Sequence, residues 1–234
     1  MCGDVSFNNE SYFIEGGDWF KADGAYVAEL NEQLRQVSCV APEDLGLHGW
    51  ISGEEEGYNI GHAGPRFTVL DRHLVRIVSE PGGIEFCDLL KQSATEARLI
   101  HVKRAAGAEL RALFAQGCVS AELYAYDHEF WEKVFAAQLD GSDSFGERDT
   151  AALSAMRWIP LAQTWIVFAI ADDTPGHVST LGSTPTVVGT LNGTLSLFSK
   201  VDVFRRIRAI RELGMQVAVT RLKPYPGGRT QRRV

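Results

Sequence analysis

The stretch IEFCDLLKQSATEARLIHVKRA, residues 84–105, decides the predicted fold of this chain. Its two apolar halves, IEFCDLL and ARLIHVKRA, predict β-strands joined by the polar loop KQSATE. Each half also contains a charged residue, Asp88 in the first and Lys103 in the second. Because an unpaired buried charge strongly destabilises a fold, we expect these side chains either to pair or to face a functional site.

The segments before and after this stretch predict further strands and helices. SYFIE and WFKAD predict a hairpin, and AYVAELNEQLRQV predicts a helix with Tyr26, Leu30 and Leu34 on one face. EEEGYNIGHAG predicts a short helix, and RFTVLDRHLVRIVS predicts a strand or a hairpin bent at residues 71–73. Residues 106–140 are strongly helical, with a break expected at Gly117.

The C-terminal half predicts the middle of a sheet and one of its sides. GSDSFGERDT is a polar loop, and TWIVFAIADDT is the most apolar strand, which we expect at the centre of the sheet. LSLFSKVDVFRRIRAIRELGMQVAVTRL predicts a strand, a helix and a strand. The complete order predicts an α/β fold with a mixed central sheet flanked by helices.

This order also predicts the domain organisation. We expect one α/β domain over residues 1–222, in which an N-terminal hairpin and helix (1–40) pack on a core of residues 54–222. Residues 223–234 are basic and are expected to form a flexible tail.

Charge and hydropathy narrow the class of partner. The 234 residues carry a formal net charge of −7, which disfavours a surface that follows a phosphate backbone throughout. Basic residues nevertheless cluster locally, so a basic patch on an acidic body is compatible with the composition. There is no leader pattern and no run of about 18 apolar residues. We therefore expect a cytoplasmic protein with no membrane partner.

The positions of Asp88 and Lys103 are typical of metal-dependent phosphodiesterases of the restriction-endonuclease type. In these enzymes an acidic residue is followed, after a short loop, by a strand that carries a lysine. Carboxylates are hard oxygen ligands for Mg²⁺, which activates a bound water as the nucleophile. The lysine stabilises the charge that develops on the phosphate or helps to deprotonate the water. The expected cofactor is therefore Mg²⁺ or Mn²⁺.

One position departs from this pattern. An Asp or Glu usually lies two residues before the lysine, whereas here that residue is His101. Histidine can ligate a metal but prefers softer ions than Mg²⁺, and on an apolar strand it is also a common core residue. Glu85 is a weaker candidate, because strict alternation along a strand places it on the face opposite to Asp88.

Neighbouring elements supply further candidates. Glu55 or Glu56 in the short helix could provide the missing carboxylate, or could belong to a solvated helix face. Gln116 could orient a water or contact a nucleic-acid backbone, or could cap the predicted helix break. The basic residues that could position a nucleic-acid backbone are Arg104, Arg111, Lys200, Arg205, Arg206 and Arg208.

Five blocks of the sequence resemble a sporadically distributed bacterial family of unknown function. They are IEFCDLL, RLIHVKR, LRALFAQGCVSAEL, WFKADGAYVAELN and LSLFSKVDVFRRIRAIRELGMQVAV, which together span about Ser11 to Leu222. The resemblance implies an association with mobile elements and phage defence. It also implies that the histidine before Lys103 is usual in the family. A weaker similarity to the PD-(D/E)xK nuclease superfamily rests on strand order and on a few residues.

We therefore predict a metal-dependent nuclease of restriction-endonuclease type that acts in bacterial antiviral defence, with DNA as the expected substrate. One alternative is a catalytically inactive nucleic-acid-binding or sensing module of the same fold. Another is a protein-interaction component of a defence or toxin system. A further alternative is a buried ion pair between Asp88 and Lys103, which would explain both residues without a catalytic role. A homodimer or a partner protein is left open.

Overall fold

The computed structural model describes residues 3–8, 10–15, 17–50, 54–78, 80–104, 108–140, 147–171, 195 and 197–222. Its strands are β1 (Gly3–Phe7), β2 (Glu10–Glu15), β3 (Asp18–Lys21), β4 (Ser38–Cys39), β5 (Thr68–Val69), β6 (Leu74–Ile77), β7 (Glu80–Glu85), β8 (Leu89–Gln92), β9 (Ala97–Arg104), β10 (Thr164–Ala171) and β11 (Gln216–Leu222). Its helices are α1 (Gly24–Arg35), α2 (Pro42–Leu45), α3 (Glu55–Ile60), α4 (Ala108–Tyr126), α5 (His128–Asp140), α6 (Glu147–Met156) and α7 (Leu197–Glu212), with a 3-10 turn at Leu161–Gln163.

The central sheet has six strands in the order β4-β11-β10-β9-β8-β5. Strands β9, β10, β11 and β4 run parallel, whereas β8 is antiparallel to both β9 and β5. In the parallel part, Phe168 of β10 lies between His101 of β9 and Val219 of β11. The predicted mixed α/β class and the central position of TWIVFAIA are therefore confirmed. Both faces of β10 are covered, which explains its nearly continuous apolar sequence.

A hydrophobic core lies on each face of this sheet. Helices α1, α4 and α7 contribute Leu34, Phe114 and Ile207 to the larger core. Helices α2 and α3 contribute Leu45 and Tyr58 to the smaller core on the opposite face. Strand β9 is consequently buried between α4 and α3, which both contact it.

The N-terminal hairpin and helix are confirmed, and a further strand precedes them. Strands β1, β2 and β3 form an antiparallel sheet that contacts α7. Helix α1 begins after Asp23, whose carboxylate accepts hydrogen bonds from the backbone N–H groups of Ala25 and Tyr26. Leu30 and Leu34 of the predicted apolar face are buried, whereas Tyr26 is exposed.

The predicted strand GGIEFCDLL is two strands in the structure. Strand β7 ends at Glu85 and pairs with β6 in a separate hairpin, whereas β8 begins at Leu89 and joins the central sheet. RFTVLDRHLVRIVS likewise bends at residues 71–73, and its halves β5 and β6 belong to different sheets. Asp88 therefore lies in a connection between two strands and not within one strand.

Two other boundaries differ from the predicted ones. The predicted strand at LSLF is wrong at Leu197 and Phe198, which form the first turn of α7. The end of the predicted polar loop GSDSFGERDT is helical, because α6 begins at Glu147. The predicted tail, residues 223–234, lies outside the described residues.

The predicted helix break at Gly117 is wrong. Helix α4 continues through Gly117 to Tyr126, and the chain bends at Asp127, whose carboxylate accepts a hydrogen bond from the Phe130 backbone N–H at 2.7 Å. Gly117 instead allows α4 to approach the sheet closely. A Cβ atom at this position would lie 2.5 Å from two ring atoms of Phe168.

We expect Gly117→Ala to destabilise the protein by about 1–3 kcal/mol, because the added methyl group overpacks the core against Phe168. Thermal unfolding measures this as a lower Tm. Gly57→Ala is the matched control, since among the described residues no atom outside the adjoining backbone of α3 lies within 4 Å of a Cβ atom added to that helical glycine. The control should raise stability by about 0.5–1 kcal/mol. Equal effects of the two substitutions would contradict the close-packing role of Gly117.

Candidate functional site

Asp88 is held at the junction of three backbone segments. Its backbone N–H donates to the Ile100 carbonyl at 3.1 Å, and its carbonyl accepts from the N–H groups of Leu70 (2.8 Å) and Asp71 (3.1 Å). Its carboxylate oxygen Oδ2 accepts from the Val102 backbone N–H at 2.6 Å. Only 2% of Asp88 is exposed. The β7–β8 connection, the β5–β6 turn and strand β9 are thus tied together by one residue.

Three carboxylates meet at this junction and form what we call the acidic cluster: Asp71, Glu85 and Asp88. One oxygen atom from each lies within 4.8 Å of the other two. Glu85 is fixed on both sides, because its Oε1 accepts from the Arg72 backbone N–H at 2.8 Å and its Oε2 accepts from Gln116 Nε2 at 3.3 Å. This arrangement of hard oxygen atoms can hold a divalent cation.

The sequence pattern indicated Glu85 only as a weaker candidate and did not indicate Asp71. Alternation fails for Glu85 because β7 ends there, and residues 86–88 connect two sheets, so both carboxylates reach the same place. Asp71 was not predicted as a site residue. The signal that could have found it is the predicted bend at residues 71–73, where Arg72 adopts a left-handed conformation with φ of 63°.

Burial makes the acidic cluster electrostatically unfavourable. It raises the pKa of Asp88 well above its ordinary value, and the neighbouring charges of Glu85, Glu55 and Asp71 raise it further, against the effect of the Val102 hydrogen bond. Burial also raises the pKa of Glu85, with Asp71 contributing. Like charges this close cannot all ionise in isolation, so the acidic cluster favours bound protons or a cation.

Lys103 lies beside the acidic cluster and pairs with helix α3. Its Nζ atom is 3.1 Å and 3.0 Å from the two carboxylate oxygens of Glu55. Burial lowers the pKa of Lys103, but the hydrogen bond and charge of Glu55 and the charge of Asp88 outweigh it, so the net pKa is raised. The lysine is therefore protonated at neutral pH. No ion pair joins Asp88 to Lys103 among the described residues, so the ion-pair alternative does not describe this fold.

The other predicted residues differ in whether their side chains contact the acidic cluster. Gln116 does not cap a helix break; its side chain contacts Glu85. Glu56 lies at the exposed rim, where its carboxylate pairs with Arg72 Nη1 at 2.9 Å. Thus Glu55 and Gln116 join Asp88 and Lys103 around the acidic cluster, while Glu56 borders it.

His101 lies in the larger core, fully buried beside the Phe168 ring at a centroid distance of 6.1 Å. Its ring nitrogens have no hydrogen-bond partner within the described ranges, and they are not among the atoms that meet in the acidic cluster. Burial lowers the pKa of His101 to about 3, so the ring is neutral at physiological pH. The structure therefore does not bring His101 to the other predicted ligands.

The predicted nucleic-acid-binding residues are distributed over β9, α4 and α7. Arg104 is exposed at the end of β9, and Arg205 is exposed on α7. The other four contact neighbouring side chains: Arg111 lies over the Phe198 ring, Lys200 donates to Asn31, Arg206 pairs with Asp202, and Arg208 pairs with Glu212.

Fold and site together define a mixed α/β protein with a cluster of one buried and two half-buried carboxylates beside a charged lysine. The chain belongs to a family of unknown function, DUF6119, whose family model matches residues 1–223. The predicted membership in a family of unknown function is thus confirmed. No curated protein and no solved structure shows significant similarity to the chain. No helix in the described ranges combines the length and apolar character that crossing a membrane requires.

We expect Asp88→Asn to raise stability at pH 8 in the presence of a chelator. The amide keeps an acceptor for the Val102 N–H and removes a buried charge. Because the folded-state pKa of Asp88 is raised, the native state binds the proton more tightly, and stability falls as pH rises above about 4 towards that pKa. The Tm should rise by roughly 2–4 °C, the shift that about 1 kcal/mol produces in a domain of this size.

The difference between Asp88→Asn and wild type should shrink as pH approaches 4, which thermal unfolding at several pH values would measure. Glu29→Gln makes the same charge change at an exposed position of α1 and should leave Tm unaltered. A lower Tm for Asp88→Asn at every pH would mean that the Asp88 charge is fully compensated in the native state.

We expect His101→Leu to flatten the loss of stability in acid. The folded-state pKa of His101 is about 3, below the unfolded value near 6.5, so the unfolded state binds the proton first. The contribution of neutral His101 to the free energy of unfolding is complete above pH 6.5. It is lost as pH falls towards 3, by up to about 1.4 kcal/mol for each pH unit. Chemical denaturation across this range should show a smaller loss for the variant, whereas His128→Gln, at an exposed histidine, should follow wild type. Parallel curves for His101→Leu and wild type would contradict the buried neutral state.

Proposed function

We propose that the protein is a metal-dependent phosphodiesterase that cuts nucleic acid in bacterial defence, with DNA as the expected substrate. One observation carries this proposal. Three carboxylates lie within 4.8 Å of one another beside a lysine that Glu55 holds at 3.0 Å. The residue types are those that metal-assisted phosphodiester hydrolysis requires.

The acidic cluster fits a divalent cation such as Mg²⁺ or Mn²⁺. Asp71, Glu85 and Asp88 would hold it, with hard oxygen atoms and a formal charge that a cation offsets. When bound, the ion supplies an activated water and polarises a phosphoryl oxygen. This ligand set replaces the set expected from the sequence, in which Glu55, Glu56 and His101 accompanied Asp88.

The chain's own side chains supply the remaining functions. Lys103 is protonated, and 39% of its side chain is exposed, so it can approach a phosphate and stabilise developing negative charge. Glu55 positions the Lys103 ammonium group through both carboxylate oxygens. Gln116 positions the Glu85 carboxylate through its side-chain amide. Each of these contacts orients a group before substrate arrives.

Strand pairing adds support from the fold. Strand β8 follows Asp88 directly and pairs antiparallel with β9, which carries Lys103. This is the order of acidic residue, short loop and lysine strand that suggested a restriction-endonuclease-like enzyme. The pattern expects an acidic residue at the position of His101, and Glu85 supplies a carboxylate to the acidic cluster instead.

A cleavage assay tests the proposal. Plasmid, linear duplex, single-stranded DNA and RNA are incubated with Mg²⁺ or Mn²⁺ and with wild type, Asp88→Asn or Lys103→Met. Wild type should cut at least one substrate in a metal-dependent way, and each variant should lose at least about 100-fold in rate. Lys133→Met, at a lysine on α5, is the matched control and should cut normally.

The negative outcomes separate the alternatives. Absence of cutting on every substrate, with salt-sensitive binding that needs no metal, would replace the enzyme with a nucleic-acid-binding or sensing module. Absence of any nucleic-acid affinity at moderate salt would favour a protein-interaction component.

A further inference from the structure

Asn59 of helix α3 is one of the buried polar side chains whose polar atoms lack a hydrogen-bond partner among the described residues. It is completely buried, and neither the oxygen nor the nitrogen of its side-chain amide has a hydrogen-bond partner in the part of the chain that the structure describes. Burying an unpaired amide opposes folding, and such groups in native proteins commonly contact a bound water, ion or ligand. Neighbouring polar side chains do have partners: the Tyr58 hydroxyl of α3 donates to the His48 carbonyl, and Nδ1 of His62, two residues after the helix, contacts the Tyr58 carbonyl.

Helix geometry directs Asn59 towards the acidic cluster. Residues three and four positions apart are neighbours on a helix, so Asn59 lies next to both Glu55 and Glu56. Glu55 reaches from α3 to Lys103, beside the cluster. Glu56 reaches to Arg72, whose backbone N–H donates to Glu85 of the cluster.

The side of α3 that carries Asn59 therefore faces the cluster, one turn deeper than the two glutamates. Asp88 is just as deep, with 2% of its surface exposed. Helix α3 approaches Asp88 on this side, because the charge of Glu55 acts on the Asp88 carboxylate.

We infer that Asn59 is the neutral member of a divalent-cation site formed with Asp71, Glu85 and Asp88, where its amide binds a water of the cation's hydration shell. The chemistry suits an amide. A divalent ion such as Mg²⁺ keeps several waters when proteins bind it, and each coordinated water donates strongly to a carbonyl oxygen. The formal charge of three carboxylates already exceeds that of one divalent ion, so an uncharged amide beside the hydration shell adds no further repulsion.

This inference rests on the cation site of the proposed function but not on hydrolysis. It is tested by binding alone. The full chain is treated with a chelator, dialysed and titrated with Mn²⁺ by calorimetry at pH 7.5, without nucleic acid. Wild type should bind Mn²⁺, and Asp71→Asn should lose most of that affinity. Asn59→Leu should bind at least about 10-fold more weakly, the typical effect of losing a group that contacts a metal's shell.

The stability of the cation-free protein distinguishes this role from a structural one. Asn59→Leu removes an unpaired amide, so its Tm in chelator should equal or exceed that of wild type while its Mn²⁺ affinity falls. Asn59→Asp keeps an oxygen but adds a fourth carboxylate, so its cation-free Tm should fall while it binds Mn²⁺ more tightly than Asn59→Leu does. Gln163→Leu, at an exposed amide, is the control and should bind as wild type does.

Two results would overturn the inference. One is wild type that fails to bind Mn²⁺ at millimolar concentration. The other is a Mn²⁺ affinity of Asn59→Leu that equals that of wild type, or one of Asn59→Asp that does not exceed that of Asn59→Leu. If Asn59→Leu does not fold, Asn59→Asp is compared with wild type instead. A cation-free Tm of Asn59→Asp that does not fall below that of wild type then contradicts the inference. A protein that binds Mn²⁺ as described but cuts no nucleic acid would refute only the proposed hydrolysis.

Discussion

The hydrogen bond from the Val102 N–H to the Asp88 carboxylate is the interaction on which the site depends. The ladder between β8 and β9 ends where Leu89 lies opposite Ile100, and the Asp88 N–H donates to the Ile100 carbonyl. Beyond that point the Asp88 side chain takes the place of a neighbouring strand and satisfies the next N–H of β9. The β6–β7 hairpin can therefore precede β8 outside the central sheet without leaving the Val102 N–H unpaired.

This substitution of a side chain for a strand has an electrostatic consequence. A carboxylate placed under the sheet edge loses its hydration, and the chain brings Glu85 and Asp71 to the same place. Packing alone does not require three acids there, since a neutral amide could accept the same hydrogen bond from Val102. The arrangement is understandable if the acids serve a cation, with the Lys103–Glu55 pair forming the more exposed wall of the site.

The close approach of α4 to the sheet accounts for the positions of Gly117 and His101. Gly117 suggested a helix break, but its missing Cβ accommodates the Phe168 ring. His101 occupies the position of an acidic ligand in the sequence pattern. In the structure its ring lies beside Phe168, the residue that Gly117 also accommodates. Glu85 showed the opposite error: alternation placed it on the wrong face, because alternation holds only within a continuous strand. The positions of Gly117 and His101 follow from contacts between residues distant in sequence, whereas that of Glu85 follows from the end of β7.

Local sequence patterns predict the α/β class, the central position of TWIVFAIA and the strand that carries Lys103, and they identify Asp88 as a charged residue in an apolar segment. These features depend on local periodicity and on the cost of placing charges in apolar segments, both of which are visible in a single chain. The set of acids that meet depends on tertiary contacts. Asp71 and Glu85 join Asp88 because a hairpin leaves the sheet between them, and Glu55 joins Lys103 because α3 contacts β9. Such meetings depend on strand pairing and chain reversal, which no local pattern of residues specifies.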